Sequence, residues 1–455
     1  MYSNYADTDE YDSVSPAGEK KLMRTSLLGD KEELIDTVDM EVDEDLGSRS
    51  DRLSRLSFSS SFSALHPTNS APLTCFLLLN TMIGSGILNQ PYVFAQSGII
   101  GGLIGFAVAT VATWTGLLCL TAAGLHENVL EYSGLAHRAF DRTGELLIDI
   151  SIIVLTVGSQ LGYILVVGVT LSELLVSWGC NSVVCEKTLV TILAVGIFVT
   201  PVCLFRHFGH LAYLSLFSIG AIVAVLLLVL IAGPIKHEQA HKSTDYNLFN
   251  ISGLLSSTGS IVFSLACASA NFQAFVSTER KSRNMASWRI VTGVAVFGGA
   301  IMCVTMGTAG YLSFGDETDG EILDNFNTHP YDFFKAMVVT HLILYIPVNF
   351  VIMRYSLVKV FLGTRSELLP PTTHSIITVV LLAAVTAVVI LLLSLGLASG
   401  VAFSLILNIT GGVGGSLATL IMPAAIYLKV MPDDAPMRMH ATALLIMGVT
   451  VMVAV

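Results

Sequence analysis

Asn80, Thr81, Ser85, Asn89 and Gln90 interrupt an otherwise apolar run from Pro72 to Ala95, and Gly84-Ser85-Gly86 sits near its middle. Glycine weakens a helix interior, so the pattern predicts a bilayer-spanning helix that is broken at the triplet. In lipid, a break frees backbone N–H and C=O groups, which is tolerated only where they face protein, a cavity or a ligand. The open start of the second half-helix then favours an anion such as a carboxylate. Small residues in membrane helices also serve close packing, a reading of about equal weight on the triplet alone. Five polar side chains at this depth tilt the balance towards a lined cavity.

A second candidate break is Ser264-Leu265-Ala266-Cys267-Ala268-Ser269-Ala270-Asn271, small and polar residues clustered within the sixth apolar span. Paired interruptions in equivalent helices of two halves point to a binding site in a carrier, and with two five-helix halves the first and sixth spans correspond. Close packing is the competing reading here too. His341, beside Thr340 in the eighth span, is an ionisable group at membrane depth and so a functional candidate; a neutral, hydrogen-bonded core histidine is an equal alternative. Asp149 and Glu173 lie near opposite ends of the third span, within reach of the interfaces. The run Thr410-Gly411-Gly412-Val413-Gly414-Gly415-Ser416 lacks the lysine of a phosphate loop and reads as helix packing. No zinc-protease motif, nucleophile elbow or carboxylate cluster occurs within the spans, so an enzyme is not expected.

The elements that position these residues are membrane helices. Of 455 residues, 53% are hydrophobic and 13% charged, with mean hydropathy +0.73, which defines an all-α polytopic membrane protein. Eleven spans are expected, at roughly 72–95, 99–124, 147–178, 188–204, 209–234, 252–276, 288–314, 332–356, 374–396, 400–428 and 440–455. Loops after even-numbered spans carry 12 Lys or Arg against 4 on the other face, which places the N-terminus in the cytoplasm and, with an odd count, the C-terminus outside. Cys180 and Cys185 then share an outer or lumenal loop, where a local disulfide is expected. Asn250-Ile251-Ser252 is a sequon on that face but abuts a helix. The net charge of −11 is mostly local, since residues 1–65 hold 15 Asp or Glu and 7 Lys or Arg, and it implies no nucleic-acid partner. Residues 1–65 read as a disordered acidic and serine-rich tail without a signal peptide, and residues 66–455 as one transmembrane domain in contact with lipid. Within the tail, Asp30 to Ile35 fits an acidic dileucine address and Tyr11 to Val14 a tyrosine-based one, so sorting adaptors and an endosomal or lysosomal membrane, besides the plasma membrane, are expected.

Three segments carry a resemblance. NTMIGSGILNQPYVFAQSG resembles the first-helix signature of the amino acid/auxin permease family, closest to its sodium-coupled neutral amino acid transporters and their lysosomal relatives. Gly310 to Asp316 (GYLSFGD) is similar to that family's seventh-helix ending, and Ile409 to Lys429 to its tenth helix. The resemblance implies a leucine-transporter-like fold, an inverted five-plus-five repeat with one further helix, and secondary active transport of neutral amino acids coupled to sodium or protons. It implies that substrate meets Thr81, Gly84, Ser85 and Gly86 on one side and Ser264, Cys267 and Ser269 on the other. It also implies a sodium site at Asn80 with an eighth-helix threonine, and no other cofactor. This chain departs in two places: Ile343 and Tyr345 stand where that threonine is usual, leaving Thr340 a turn back, and Cys267-Ala268-Ser269 stands where Cys-His-Pro is common. A proton taken up by His341 is the alternative to sodium. An amino acid sensor signalling through its tail is the alternative to a carrier.

Overall fold

The computed structural model describes residues 69–455 apart from 181, 205–210, 241–245, 327–328, 365, 367–368 and 397. The tail and its two sorting motifs lie outside the described residues. In chain order the helices are α1 (Ala71–Met82), α2 (Gln90–Ser97), α3 (Ile99–Glu127), α4 (Tyr132–Ser177), α5 (Lys187–Cys203), α6 (Leu211–Ala240), α7 (Ile251–Ser264), α8 (Asn271–Ser277), α9 (Met285–Phe314), α10 (Asp332–Leu362), α11 (Pro371–Ser394), α12 (Ser399–Val430) and α13 (Arg438–Ala454). α2, α9 and α10 each end at a glycine with positive φ (Gly98, Gly315 and Gly363). Among the described residues, seven helices are long and apolar enough to cross a membrane. Counting the bent pair α1–α2 as one span makes eight, and α5, the Ile219–Ile235 part of α6, and α13 are shorter apolar helices.

The first span breaks where its glycines predict. α1 stops at Met82, Gly84 leaves helical geometry (φ −107°, ψ −149°), a 3-10 turn runs Ser85–Asn89, and α2 departs at 53° to α1. The sixth span stops at Ser264, passes through non-helical Cys267 (φ −134°, ψ 7°) and a short turn, and resumes as α8. The two broken spans run antiparallel and touch at three levels. At one face a backbone bridge joins Asn69 to Thr278, whose hydroxyl lies 3.1 Å from that of Thr74. At mid-depth Gly86 abuts Phe263 and Ser264. At the other face Asn250 N donates to Ser97 O at 2.9 Å, and Asn247 and Leu248 carbonyls cap the start of α3. The approach at this last level requires Gly98, which has positive φ (76°) and would drive a Cβ into the Leu248–Phe249 peptide. Asn250 therefore serves as the cap of α7, its side chain accepting from Gly253 N.

α4 packs lengthwise and antiparallel against α10. Gln160 Nε2 donates to Ile346 O at 2.9 Å and Asn349 Nδ2 to Thr156 O at 3.1 Å, while ion pairs close both ends. At one end Lys335 meets Glu173 at 2.9 Å; at the other Lys359 meets Asp149 at 2.9 Å and Glu145 at 3.1 Å. The helix starts at Tyr132, kinks at Phe140 and Asp141, and so extends N-terminal of the expected span at 147–178, with Lys359 compensating both Glu145 and Asp149. The glycines of α12 pack as expected of them: Gly411 faces the Gly259 carbonyl, Gly414 the α4 backbone and Gly412 Val455, within a stretch of wide π-type turns.

Candidate functional site

The GSG break lies in the core, enclosed by α4, α7 and α9. Ser85 is fully buried and Asn80 7% exposed, and Ser85 Oγ and Asn80 Oδ1 have no hydrogen-bond partner among the described residues. The leading N–H groups of the turn belong to Ser85 and Gly86, and a first turn supplies no intrahelical acceptors for them. A Cβ on Gly84 would stand 3.0 Å from the Tyr163 hydroxyl. The Tyr163 ring meets Tyr345 edge-on at 5.7 Å, and Tyr345 in turn lies 5.6 Å from the His341 imidazole. His341 is 1% exposed with an unpartnered Nε2. Contacts thus lead from the broken helix through two tyrosines to the one histidine expected at membrane depth.

From the sixth span, Ser264 touches Gly86 and donates its hydroxyl to Ile261 O at 2.8 Å. Cys267 is fully buried at the non-helical joint, its carbonyl accepting from Ala270 N at 3.0 Å, and Ser269 is half-buried. Asn408 Oδ1 takes the Ser260 N–H at 3.1 Å, fastening α12 to α7 one turn before the break. Asn271 Nδ2 holds Thr121 at 2.8 Å and so fastens α8 to α3.

Several expected site residues are placed elsewhere. Thr340 is exposed on α10 and returns its hydroxyl to Ala336 O at 2.8 Å, whereas Asn80 is buried. Thr81 likewise bonds its own helix at Leu77 O. Gln90 Nε2 closes onto Gly86 O at 2.6 Å, and Asn89 Nδ2 reaches Gly320 O at 2.7 Å, giving both a structural use beside the break. Tyr163, Gln160 and Tyr345 were missed. Their signal was present in the sequence: Gln160 and Tyr163 are polar groups three residues apart in the third span, hence on one helix face. Cys180 and Cys185 are disulfide-bonded. An apolar groove lined by Leu103, Phe106, Phe297 and Ile301 lies between α3 and α9; its walls suit hydrocarbon rather than a zwitterion.

Broken antiparallel spans buried at the centre of a polytopic helical bundle define a membrane carrier. Residues 67–455 match the family described as transmembrane amino acid transporter protein, and the chain belongs to that family. Among its relatives, the "Putative sodium-coupled neutral amino acid transporter 11" of Bos taurus is 25% identical over 364 residues, covering 79% of this chain and 76% of that protein. Vacuolar amino acid transporter 2 of Saccharomyces cerevisiae is 24% identical over 260 residues, 55% of this chain and 53% of the yeast protein. In fold, the chain is similar to the manganese transporter of Eremococcus coleocola, with a TM-score of 0.53 over 84% of each chain at 11% identity. The relatives are transporters, not enzymes, and the chain is an integral membrane protein.

Proposed function

We propose that the protein is a secondary active transporter of neutral amino acids that works by alternating access around the Gly84–Gly86 and Ser264–Ser269 breaks, coupled to sodium or protons. The observation that carries the reading is the abutment of Gly86 on Ser264, which brings two interrupted antiparallel spans together in the core. A carboxylate fits the Ser85 and Gly86 N–H groups and the Ser85 hydroxyl, with carbonyls of the Cys267 joint left for the ammonium. Eleven crossings as a five-plus-five inverted repeat with α13 added accord with the antiparallel run of the first and sixth spans. The names of the relatives support amino acids as cargo, and none is named a sensor.

Asn80 supports sodium through a buried, unpartnered carbonyl oxygen, a suitable hard-cation donor. His341 supports protons as a buried imidazole with a free ring nitrogen; burial favours its neutral form, so it takes up a proton only when the site opens to water. The exposure of Thr340 and its bond within its own helix weigh towards the proton. The test is uptake of labelled neutral amino acids into proteoliposomes under separately imposed sodium and proton gradients, with wild type, Asn80→Ala and His341→Gln. The expected result is sodium-independent uptake driven by the proton gradient and lost or made pH-insensitive in His341→Gln. Strict sodium dependence with an unaltered pH profile in His341→Gln returns coupling to Asn80, and absence of amino acid flux under every gradient overturns the transport reading.

A further inference from the structure

The loop joining α9 to α10 is folded inward at the mouth of the first span. Ile322, Leu323 and Phe326 are fully buried in the core beneath it. Gly320 O accepts Asn89 Nδ2, which fastens the loop to the residue ending the turn after the GSG break. Gly320 also lies so close to Gly400 that a side chain at either position would strike the other's backbone, and Ser399 at the start of α12 donates to Asp324 at 3.2 Å. The loop therefore ties the movable half of a broken helix to α12.

Between these contacts sits Glu321, 2% exposed, with Oε1 lacking any hydrogen-bond partner among the described residues. Asp319 and Asp324 of the same loop, Glu173 of α4 and Lys335 of α10 face it. Lys187, at the start of α5, meets Glu173 at 3.6 Å, while α1–α2 and α12 contribute only the uncharged Asn89 and Ser399. Among the described residues four carboxyls thus share two ammonium groups. A buried carboxylate oxygen with no hydrogen bond, among more carboxyls than ammonium groups, is unfavourable when charged, and protonation is the simplest compensation. Burial pushes the Glu321 carboxyl well above its usual range, with Asp324 and Glu173 adding to the rise and Lys335 opposing it. Burial and Glu173 likewise push Asp324 up to about 6.

We propose that Glu321 and Asp324 form a proton-binding site that latches the α9–α10 loop over the bent first span. Docked, the pair holds its protons; ionised, the carboxylates draw in water and the loop lifts from Asn89 and Gly400. The docked loop binds more protons than a lifted loop whose carboxyls meet water, so docking is favoured as pH falls and is lost as pH rises from about 4 through the raised values. The latch stands without the transport reading, whereas the consequence that lifting opens a pathway rests on it.

Hydrogen–deuterium exchange of segment 315–326 in the full chain in nanodiscs, corrected for the intrinsic effect of pH, tests the latch with wild type, E321Q and E321Q/D324N. Exchange in wild type is expected to rise about tenfold or more between about pH 5 and about pH 7.5, one pKa unit being worth a factor of ten. The double variant is expected to stay at the protected level throughout, and E321Q to lose part of the rise. A flat wild-type profile, or an E321Q profile that reproduces the wild type, overturns the proposal. These two profiles decide even where the double variant folds poorly. Uptake measured on the same preparations fails or succeeds separately, so loss of the transport reading is distinguishable from loss of the latch.

Discussion

Gly84 and Gly86 differ in what stands against them. Opposite Gly84 is only the Tyr163 side chain, its hydroxyl 3.0 Å from an added Cβ; opposite Gly86 are both the Phe263 ring and the Ser264 backbone. Gly84→Ala should therefore retain measurable uptake, whereas Gly84→Val and Gly86→Val fill the space in which backbone must approach a carboxylate. Both valine variants should reach the membrane at normal levels and lower uptake by at least about tenfold, about 1.4 kcal/mol in the transport barrier. Uptake comparable to wild type in Gly84→Val would reduce the triplet to helix packing. The residue scale is also where the sequence was most legible. A polar-and-glycine cluster in an apolar run has few meanings in lipid, so the break at Gly84 and the joint at Cys267 could be read directly. The outward face of Thr340 could not. Which face of a long apolar helix turns inward is set by neighbouring helices, and an all-apolar helix carries no stripe to reveal it.

The same limit explains the elements. Several helix ends fall within a few residues of expectation, but α4 extends past its expected start near 147, because Glu145 looks unsuited to a span until Lys359 is placed beside it. That pairing joins residues 210 or more positions apart (359 against 149 and 145), beyond any local pattern. It also makes a prediction about the α4–α10 clamp. Asp149 is 4% exposed, accepts from Ser133 at 2.7 Å and from Lys359, and Asp149→Asn leaves the ammonium with Glu145 alone. Removing one partner of a buried pair typically costs about 3–5 kcal/mol, while neutralising both often costs less. Thermal unfolding in detergent should therefore show Lys359→Met and Asp149→Asn each clearly destabilised and the double variant less so than the sum. Additive losses would mean that the two groups do not act as a pair.

At the scale of the molecule the open question is the number of crossings, and one ion pair constrains it. Glu173 stands near the end of α4 and Lys335 near the start of α10, and their 2.9 Å contact puts those two points on the same face. The chain between them must then cross an even number of times. α5, α6, the α7–α8 pair and α9 make four, so α5 and the shorter apolar part of α6 either both cross or both stay on one side. A helix of 17 residues reaches about 25 Å, at the lower limit for a bilayer, and α5 and α13 are both of that size. With α5 and α6 crossing together, the parity of the whole chain rests on α13. Eleven crossings separate the termini, and ten leave them on the same face. The bias of 12 basic residues against 4 favours an N-terminus inside, and Lys335, one of the four, is 3% exposed and held by Glu173 within the protein. Tags at each end, probed by antibody on sealed and on permeabilised membranes, should show the N-terminus on the cytoplasmic face and the C-terminus on the other. In the same membranes Cys180 and Cys185, paired in the loop that follows α4, should resist an impermeant maleimide on the side opposite the N-terminal tag until reduced. Both tags on one face would remove α13 from the crossings, and an N-terminal tag on the face of the disulfide would reverse the orientation that the basic residues imply.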